Sequence, residues 1–362
     1  MISLCTTICL LIYFFYIIFI ISGLFKHNVP NISSSKNLPV VSVIIAARNE
    51  EKNLPYLIHD LVNQEYPLGK LEIIFINDRS TDLTDKILTE ASDDYSFIDV
   101  IKIEKKSNEM TPKKYALTKG IELARGKIII STDADCRVGK LWVSSMTFDV
   151  IKSGGISVGF SSIRATTFFD QYQKIDFLGI VTANAGAAGW NHYWSGTGQN
   201  LAYYKNDFFD ILGFDPVRKK VSGDDMYLVQ SISKIKKGSI NIDPNSFVTT
   251  EPMKTVKDFI NQRTRWSSNA KLNMTKSPYF FLFLANSLLL NIIILFSFLL
   301  SADWFLLFFI KFNLDGLVIF LGSKLFNLKF LFTPYFAWAI AQPFYIPYVA
   351  FMGLREKYIW KQ

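Results

Sequence analysis

The feature that most constrains this chain is a pair of apolar regions, one on each side of a charged middle. Residues 1–25 contain no Asp, Glu, Lys or Arg, and residues 279–362 contain nine. Residues 26–278 hold 61 of the 70 charged residues, about 24% of that segment, which is an ordinary density for a globular domain. The sequence therefore predicts an N-terminal transmembrane anchor (1–25), a central soluble domain (26–278) and a C-terminal membrane region (279–362).

The first apolar run, Leu4 to Phe25, is long enough to cross a bilayer once, since about 20 apolar residues in a helix span the hydrocarbon core. A cleavable signal peptide is the competing interpretation, but the run has no basic segment before it and no clear A-x-A site. Lys26, Lys36 and Arg48 follow it. The positive-inside rule therefore predicts that the central domain is cytoplasmic.

The C-terminal region offers three apolar segments. Tyr279–Leu300 and Leu331–Gly353 are strong candidates for spans, and Trp304–Leu321 is a weaker one because it contains Lys311 and Asp315. Those two charges either pair at i,i+4 or lie at an interface. Two membrane topologies agree with the positions of the charged residues. In one, all three segments cross the bilayer; in the other, two form an apolar hairpin and the third is re-entrant or interfacial.

Charge and cysteine content exclude several classes of protein. The central region carries 33 basic and 28 acidic residues that are interspersed, which predicts no nucleic-acid partner. The three cysteines are too few for a disulfide framework. No cluster of cysteines and histidines has the spacing of a zinc site.

The central region alternates short β-branched runs with helical periods. The runs are Val40–Ala46, Leu71–Ile76, Ile98–Ile103 and Lys127–Ser131. This alternation predicts βαβ units and a mainly parallel sheet, in which ligands bind at the carboxyl ends of the strands. No G-x-G-x-x-G or Walker A sequence follows a strand, so the pattern does not favour a dinucleotide site or a P-loop.

Acidic residues follow three of the predicted strands. Glu50 comes after the first strand, Asp78 after the second, and Asp133 and Asp135 after the fourth. At i,i+2 on an extended segment, the last two side chains point the same way and are able to share one divalent cation. The alternative is an Asp-rich turn or helix start.

Two further motifs lie downstream. Asp224 and Asp225 precede a predicted helix and either cap it or supply a general base. Gln262, Arg265 and Trp266 share one face of a helix that begins near Thr255 and either bind a diphosphate and an acceptor or form a basic and aromatic collar at the bilayer. Arg263 and Lys271 are assigned to that collar.

Residues Asn184–Asn200 are rich in Gly, Ala and Trp, and we expect an irregular segment there. Trp190 and Trp194 in this segment stack on a sugar, pack at the membrane surface, or hold the fold together. The sequence does not choose between these roles.

In order and approximate spacing, these motifs resemble membrane-bound bacterial members of the family 2 glycosyltransferases. The matching segments are Val41–Glu50, Asn77–Asp82, Thr132–Asp135, Ser222–Asp225 and the QxxRW-type residues Gln262, Arg265 and Trp266. The resemblance implies an α/β GT-A fold, which is a Rossmann-like nucleotide-diphospho-sugar transferase fold, flanked here by transmembrane helices.

The resemblance also implies roles for residues. Asp225 is the expected general base, and Asp133 and Asp135 are the expected ligands of Mg²⁺ or Mn²⁺ on the donor diphosphate. The donor is further assigned to Glu50, Asp78, Asp133, Arg265 and Lys114, with Lys113 as the alternative lysine. The acceptor is assigned to Asp224, Gln262 and Trp266.

The predicted function is inverting transfer of a sugar from a nucleotide-diphospho-sugar, expected to be a UDP-sugar, to a lipid or lipid-linked glycan. The expected location is the cytoplasmic face of the bacterial inner membrane. Few spans favour a ceramide-glucosyltransferase-like architecture that adds one sugar at a time. A processive polysaccharide synthase is the enzymatic alternative, and a catalytically silent nucleotide-sugar-binding scaffold is the alternative from another class.

Overall fold

The computed structural model describes residues 4–29, 38–300 and 304–355. These residues form two compact units. The sheet unit comprises the described residues of His27–Ser162 and Ser195–Glu251, and the helical unit comprises those of Met1–Lys26, Ile163–Trp194 and Pro252–Gln362. Residues 163–194 and 252–278, which lie in the central segment of the sequence, are therefore grouped with the helical unit.

Short strands and helices alternate along the chain between residues 41 and 250. The strands are β1 (Val41–Ala47), β2 (Leu71–Asp78), β3 (Ile98–Ile103), β4 (Ile128–Ser131), β5 (Cys136–Val138), β6 (Ile156–Gly159), β7 (Ser161–Ile163), β8 (Leu201–Tyr204), β9 (Gly238–Asn241) and β10 (Val248–Thr250). The helices are named in chain order, and those of the sheet unit are α2 (Leu54–Val62), α3 (Thr84–Asp94), α4 (Pro112–Leu123), α5 (Trp142–Ser153), α7 (Lys205–Asp210) and α8 (Asp224–Ile235).

The main sheet has seven strands in the order β3-β2-β1-β4-β8-β6-β9. Strands β3, β2, β1 and β4 are parallel, whereas β8 runs antiparallel to both of its neighbours. The register places Val41 opposite Leu71 and Ile128. The carboxyl ends of β1, β2 and β4 therefore lie at one edge, as the sequence pattern predicts. A second sheet has the order β5-β10-β7.

The core of the sheet unit lies between the main sheet and the helices that cover it. Every residue of β2 is buried, and α2 contributes Leu54, Leu57 and Leu61 to the same cluster. Gly126, just before β4, lies so close to β1 that a Cβ there would be 2.5 Å from the backbone nitrogen of Ser42. Glycine is therefore required where α4 returns to the sheet.

The helical unit contains seven helices in the described parts of the chain. They are α1 (Leu4–Leu24), α6 (Phe168–Ala188), α9 (Val256–Ser267), α10 (Ala270–Lys276), α11 (Pro278–Leu300), α12 (Trp304–Leu325) and α13 (Phe332–Leu354). By length and composition, α1, α11 and α12 are candidate membrane spans. Helix α13 contains Pro343 and Pro347 and does not meet that measure. The segment that the sequence ranks as weaker, α12, therefore qualifies by length and composition, and the number of C-terminal crossings stays a prediction.

Helices α1 and α6 cross with their backbones in contact. A Cβ at Gly23 would lie 1.8 Å from the carbonyl oxygen of Gly186, and a Cβ at Gly186 would lie 2.5 Å from the carbonyl oxygen of Ile20. Glycine at both positions permits this close approach, because it has no Cβ that would meet the opposing backbone.

Helix α12 carries its two charges as a buried pair. Lys311 donates to Asp315 and, over 2.9 Å, to the amide oxygen of Gln342 on α13, while the hydroxyl of Tyr13 on α1 donates to Asp315. Of the two arrangements that the sequence leaves open, the structure shows pairing at i,i+4.

The segment Asn184–Asn200 is less irregular than the sequence indicates, because α6 continues to Ala188. Trp190 donates through Nε1 to the carbonyl of Phe19 over 3.2 Å, and Lys26 Nζ lies 3.1 Å from its ring centre. Trp194 is buried and stacks on Phe280 with ring centres 5.0 Å apart. These contacts within the helical unit favour the interpretation that both tryptophans hold the fold together.

Candidate active site

The loops that follow β1 and β2 are joined by reciprocal hydrogen bonds. The backbone nitrogen of Asn49 donates to Ser80 Oγ over 3.1 Å, and that of Thr81 donates to Asn49 Oδ1 over 2.8 Å. Asn49 and Arg79 both have φ 56°, a left-handed conformation that costs a non-glycine residue free energy. The hydrogen bonds compensate for that cost and hold the two loops in one conformation.

The two acids predicted to contact a nucleotide have partners within these loops. Asp78 is buried and accepts from Arg79 Nε over 2.8 Å and from Nη2 over 3.0 Å. Glu50 Oε2 accepts from Asn53 Nδ2 over 2.7 Å. Both carboxylates are thus oriented by neighbouring side chains at the carboxyl edge of the sheet, and their role toward a nucleotide stays a prediction.

A cluster of carboxylates surrounds Lys113, near the start of α4. Lys113 Nζ donates to Asp133 Oδ1 over 2.6 Å, and the two side chains are 31% and 29% exposed. Burial on its own lowers the pKa of Lys113, but the charges of Asp133, Asp224 and Asp225 raise it above its ordinary value. Lys114 Nζ lies 3.9 Å from Asp224 Oδ1 and adds a second cation. Three carboxylates therefore face two lysines, which leaves the cluster with an excess of negative charge.

Asp225 lies in the first turn of α8, and backbone amides orient its carboxylate. Oδ1 accepts from the nitrogen of Met226 over 2.8 Å and Oδ2 from that of Gly198 over 3.2 Å. Gly198 in turn accepts from Ser131 Oγ, at the end of β4, over 3.4 Å. Burial and the charge of Asp224 raise the pKa of the Asp225 carboxyl to about 6, although the two amides and Lys113 oppose the shift.

Such a carboxyl is suited to proton transfer near neutral pH, because its pKa lies close to the working range of a general base. Gly223, directly before α8, has φ 85°. Glycine adopts this conformation without strain, and it allows the chain to enter α8 with both aspartates in the first turn.

Asp133 and Asp135 flank the turn after β4, and both are half-buried. No group of three or more His, Cys, Asp or Glu side chains placed to hold one metal ion occurs in residues 4–29, 38–300 and 304–355. Two carboxylates nevertheless fit a cation of the Mg²⁺ type, which takes one or two protein carboxylates and completes its shell with substrate phosphates and water. The neighbouring Cys136 is buried, and burial together with the two aspartates raises the pKa of its thiol well above the ordinary value.

The two adjacent lysines of α4 have different surroundings. Lys114 is 1% exposed, and its Nζ donates to the carbonyl of Lys220 over 2.6 Å and lies 3.9 Å from Asp224 Oδ1. Lys113, which the sequence suggested only as an alternative, is the lysine bonded to Asp133. The donor-binding role assigned to Lys114 stays a prediction.

Gln262, Arg265 and Trp266 lie on α9, in the helical unit, and all three are half-buried. The capping residue of α9 is Thr255, whose hydroxyl accepts from the nitrogen of Asp258, as the sequence predicts for the helix start. Their roles toward donor and acceptor stay predictions.

Arg263 does not serve a surface collar. It is 4% exposed, and its Nε donates to Asp176 Oδ2 on α6 over 2.6 Å. The sequence prediction was wrong here because its partner lies 87 residues away in the chain, where no local pattern points to it.

A mixed α/β sheet whose carboxyl edge carries oriented carboxylates, in a chain that also forms long apolar helices, defines the class of this molecule. Residues 42–224, half of the chain, match the family model described as Glycosyl transferase family 2. The chain therefore belongs to glycosyl transferase family 2.

Two relatives illustrate the range of the similarity. The probable glycosyltransferase YdaM of Bacillus subtilis is 30% identical over 266 residues, which cover 70% of this chain and 62% of that protein. The beta-monoglucosyldiacylglycerol synthase of a Nostoc species is 41% identical over 114 residues, which cover 31% of this chain and 23% of that protein. In both cases the match spans less than two thirds of the relative's own length.

Among solved structures, a mannosyltransferase from Pyrobaculum calidifontis, PcManGT in complex with GDP-Man and Mn²⁺, matches 97% of this chain and 98% of its own. The TM-score is 0.60 and the sequence identity is 15%. At this identity the likeness concerns the fold, and it confirms the predicted GT-A-like α/β architecture with long apolar helices.

Proposed function

We propose that this protein is a membrane-bound inverting glycosyltransferase. It moves a sugar from a nucleotide-diphospho-sugar, expected to be a UDP-sugar, to a lipid or lipid-linked glycan at the cytoplasmic face of a bacterial inner membrane. The observation that carries the proposal is the carboxylate cluster at the carboxyl edge of the sheet, with Asp225 oriented by two amides and its pKa raised to about 6.

In the proposed reaction, the ionised Asp225 accepts the proton of the acceptor hydroxyl. The acceptor oxygen forms a bond to the anomeric carbon as the bond from that carbon to the diphosphate oxygen breaks, and the nucleotide diphosphate leaves with the electron pair. Attack from the face opposite the leaving group inverts the anomeric configuration. A positioned general base contributes about 10² to 10⁴ in rate to such a step.

Asp133 and Asp135 are the residues that would hold Mg²⁺ or Mn²⁺. When bound, the cation supplies positive charge that stabilises the diphosphate leaving group. Glu50, Asp78 and Lys114 are proposed as donor contacts, and Asp224 as an acceptor contact. On α9, Arg265 is proposed to pair with the diphosphate, because a guanidinium forms two parallel hydrogen bonds to such a group, and Gln262 and Trp266 are proposed to contact the acceptor.

Two observations support a lipid acceptor. The described residues include three helices long and apolar enough to cross a membrane. One relative is named for synthesis of a monoglucosyldiacylglycerol. We therefore propose a lipid or lipid-linked glycan as the acceptor. The proposed architecture is similar to that of ceramide glucosyltransferases, which add one sugar at a time.

The proposal is tested by incubating membranes that contain the protein with a panel of radiolabelled nucleotide sugars, with and without EDTA. We expect one donor to label the lipid fraction, EDTA to abolish the labelling, and added Mn²⁺ to restore it. Membranes with Asp225→Asn are the matched control. Label in long chains would indicate a processive synthase instead, and absence of transfer from every donor would indicate a catalytically silent binding protein.

A further inference from the structure

The buried ion pair between α9 and α6 lies beside the residues of α9 that are proposed to contact the substrates. Arg263 and Asp176 are 4% and 5% exposed, and Arg263 Nε lies 2.6 Å from Asp176 Oδ2. The other oxygen of Asp176 accepts from Trp338 Nε1 on α13 over 2.9 Å. Both oxygens of the carboxylate are therefore engaged, and the position of Arg263 is fixed by two other helices of the helical unit.

The guanidinium of Arg263 also contacts its neighbours on α9. Nη1 donates to the amide oxygen of Gln262. The guanidinium carbon lies 4.3 Å from the ring centre of Trp266 and 4.5 Å from that of Phe259. One buried side chain thus touches two of the three residues in the Gln262, Arg265, Trp266 motif.

An ion pair removed from water gives little net stability, because the cost of desolvation offsets much of the attraction. The planar guanidinium donates hydrogen bonds in two directions while its faces contact aromatic rings, and it thereby fixes the orientation of the side chains around it. The ammonium group of a lysine does not reproduce that geometry. Stability alone therefore does not account for an arginine at position 263.

We propose that Arg263 is a positioning residue that holds Gln262 and Trp266 in the orientation required for sugar transfer, with Asp176 as its fixed support. This inference rests on the proposed function. It assigns Arg263 no contact with donor or acceptor, and its effect on the reaction passes through the two residues that it touches.

The test uses full-length protein in detergent and the donor that labels lipid. We expect Arg263→Lys to lower kcat about tenfold to a hundredfold, the scale on which a misplacement of about 1 Å acts, with the KM for donor and the unfolding temperature close to wild type. Asp176→Asn weakens the support for Arg263 and is expected to lower kcat in the same direction. Because it also leaves the charge of Arg263 buried without its partner, its kcat is measured well below its own unfolding temperature. Arg125→Lys is the control for the chemical change itself, since Arg125 pairs with Glu72 near the amino end of β2, away from every residue assigned to donor or acceptor.

A double-mutant cycle separates positioning from general stability. In a Gln262→Ala, Trp266→Phe background, Arg263→Lys is expected to lower kcat by less than roughly twofold, because residues that act together are not additive. Full additivity, or a loss of kcat that follows the unfolding temperature, overturns the inference. So does an Arg263→Lys protein with wild-type kcat. A wild-type protein that transfers no sugar overturns the proposed function, and the inference with it.

Discussion

Each of the two units contains a lysine paired with aspartate, and the two pairs differ in their surroundings. In the sheet unit, Lys113 is bonded to Asp133 and faces the charges of Asp224 and Asp225. In the helical unit, Lys311 is bonded to Asp315, and Tyr13 and Gln342 complete the hydrogen bonding.

Charge balance and exposure distinguish the two clusters. Lys113 and Asp133 are 31% and 29% exposed and belong to a group with more carboxylates than cations, whereas Lys311 and Asp315 are 5% and 6% exposed and balance each other. An open cluster with excess negative charge attracts a cation or a proton. A sealed and neutral cluster fixes the helices that share it, and its charges are expensive to separate.

The largest effect is expected at the open cluster. Asp225→Asn removes the proposed proton acceptor while it keeps the size of the side chain, and we expect transfer to fall by about 10² to 10⁴ with little change in nucleotide binding. Initial rates with labelled donor and equilibrium binding of the nucleotide measure the two quantities. A variant with near wild-type turnover would contradict the role of Asp225.

At the sealed cluster the expected effect is on stability. Lys311→Met leaves Asp315 buried without its cation, and we expect the free energy of unfolding to fall by about 3 to 5 kcal/mol. Thermal unfolding in detergent measures it. The double variant Lys311→Met, Asp315→Leu is the control and should recover most of the loss, since no unpaired charge remains. If Lys311→Met alone were as stable as the wild type, the comparison would fail, because Asp315 would then not be buried away from water.

The smallest effect concerns pH. Because burial and Asp224 raise the pKa of Asp225 to about 6, we expect the transfer rate to increase with pH and to reach about half of its maximum near pH 6, where half of the general base is ionised. Asp224→Asn removes a like charge and should move this rising limb of the pH–rate profile to lower pH. Lys113→Met removes a favourable charge and should move it to higher pH. pH–rate profiles of the three proteins, with Lys311→Met as the control that leaves the limb in place, measure the shifts.

Much of the fold was predictable because its determinants are local. The β-branched runs from Val40 to Ser131 indicated four strands that the structure contains, and the acids that follow them lie at one edge because the strands are parallel. The apolar segments near both ends were equally readable, and in the described parts of the chain three of the four form helices long and apolar enough to cross a membrane.

What depended on distant parts of the chain was not predictable. The adjacent Lys113 and Lys114 differ because successive residues of a helix point about 100° apart, and only the packed structure shows which one meets Asp133. The sequence by itself determined the family through the order and spacing of its motifs, and it determined four parallel strands, the apolar segments and the identity of the acids through periodicity and composition. Only the tertiary structure paired Arg263 with Asp176 and Lys311 with Gln342, because a buried charge takes its partner from whichever helix the packing of the core brings within hydrogen-bonding distance.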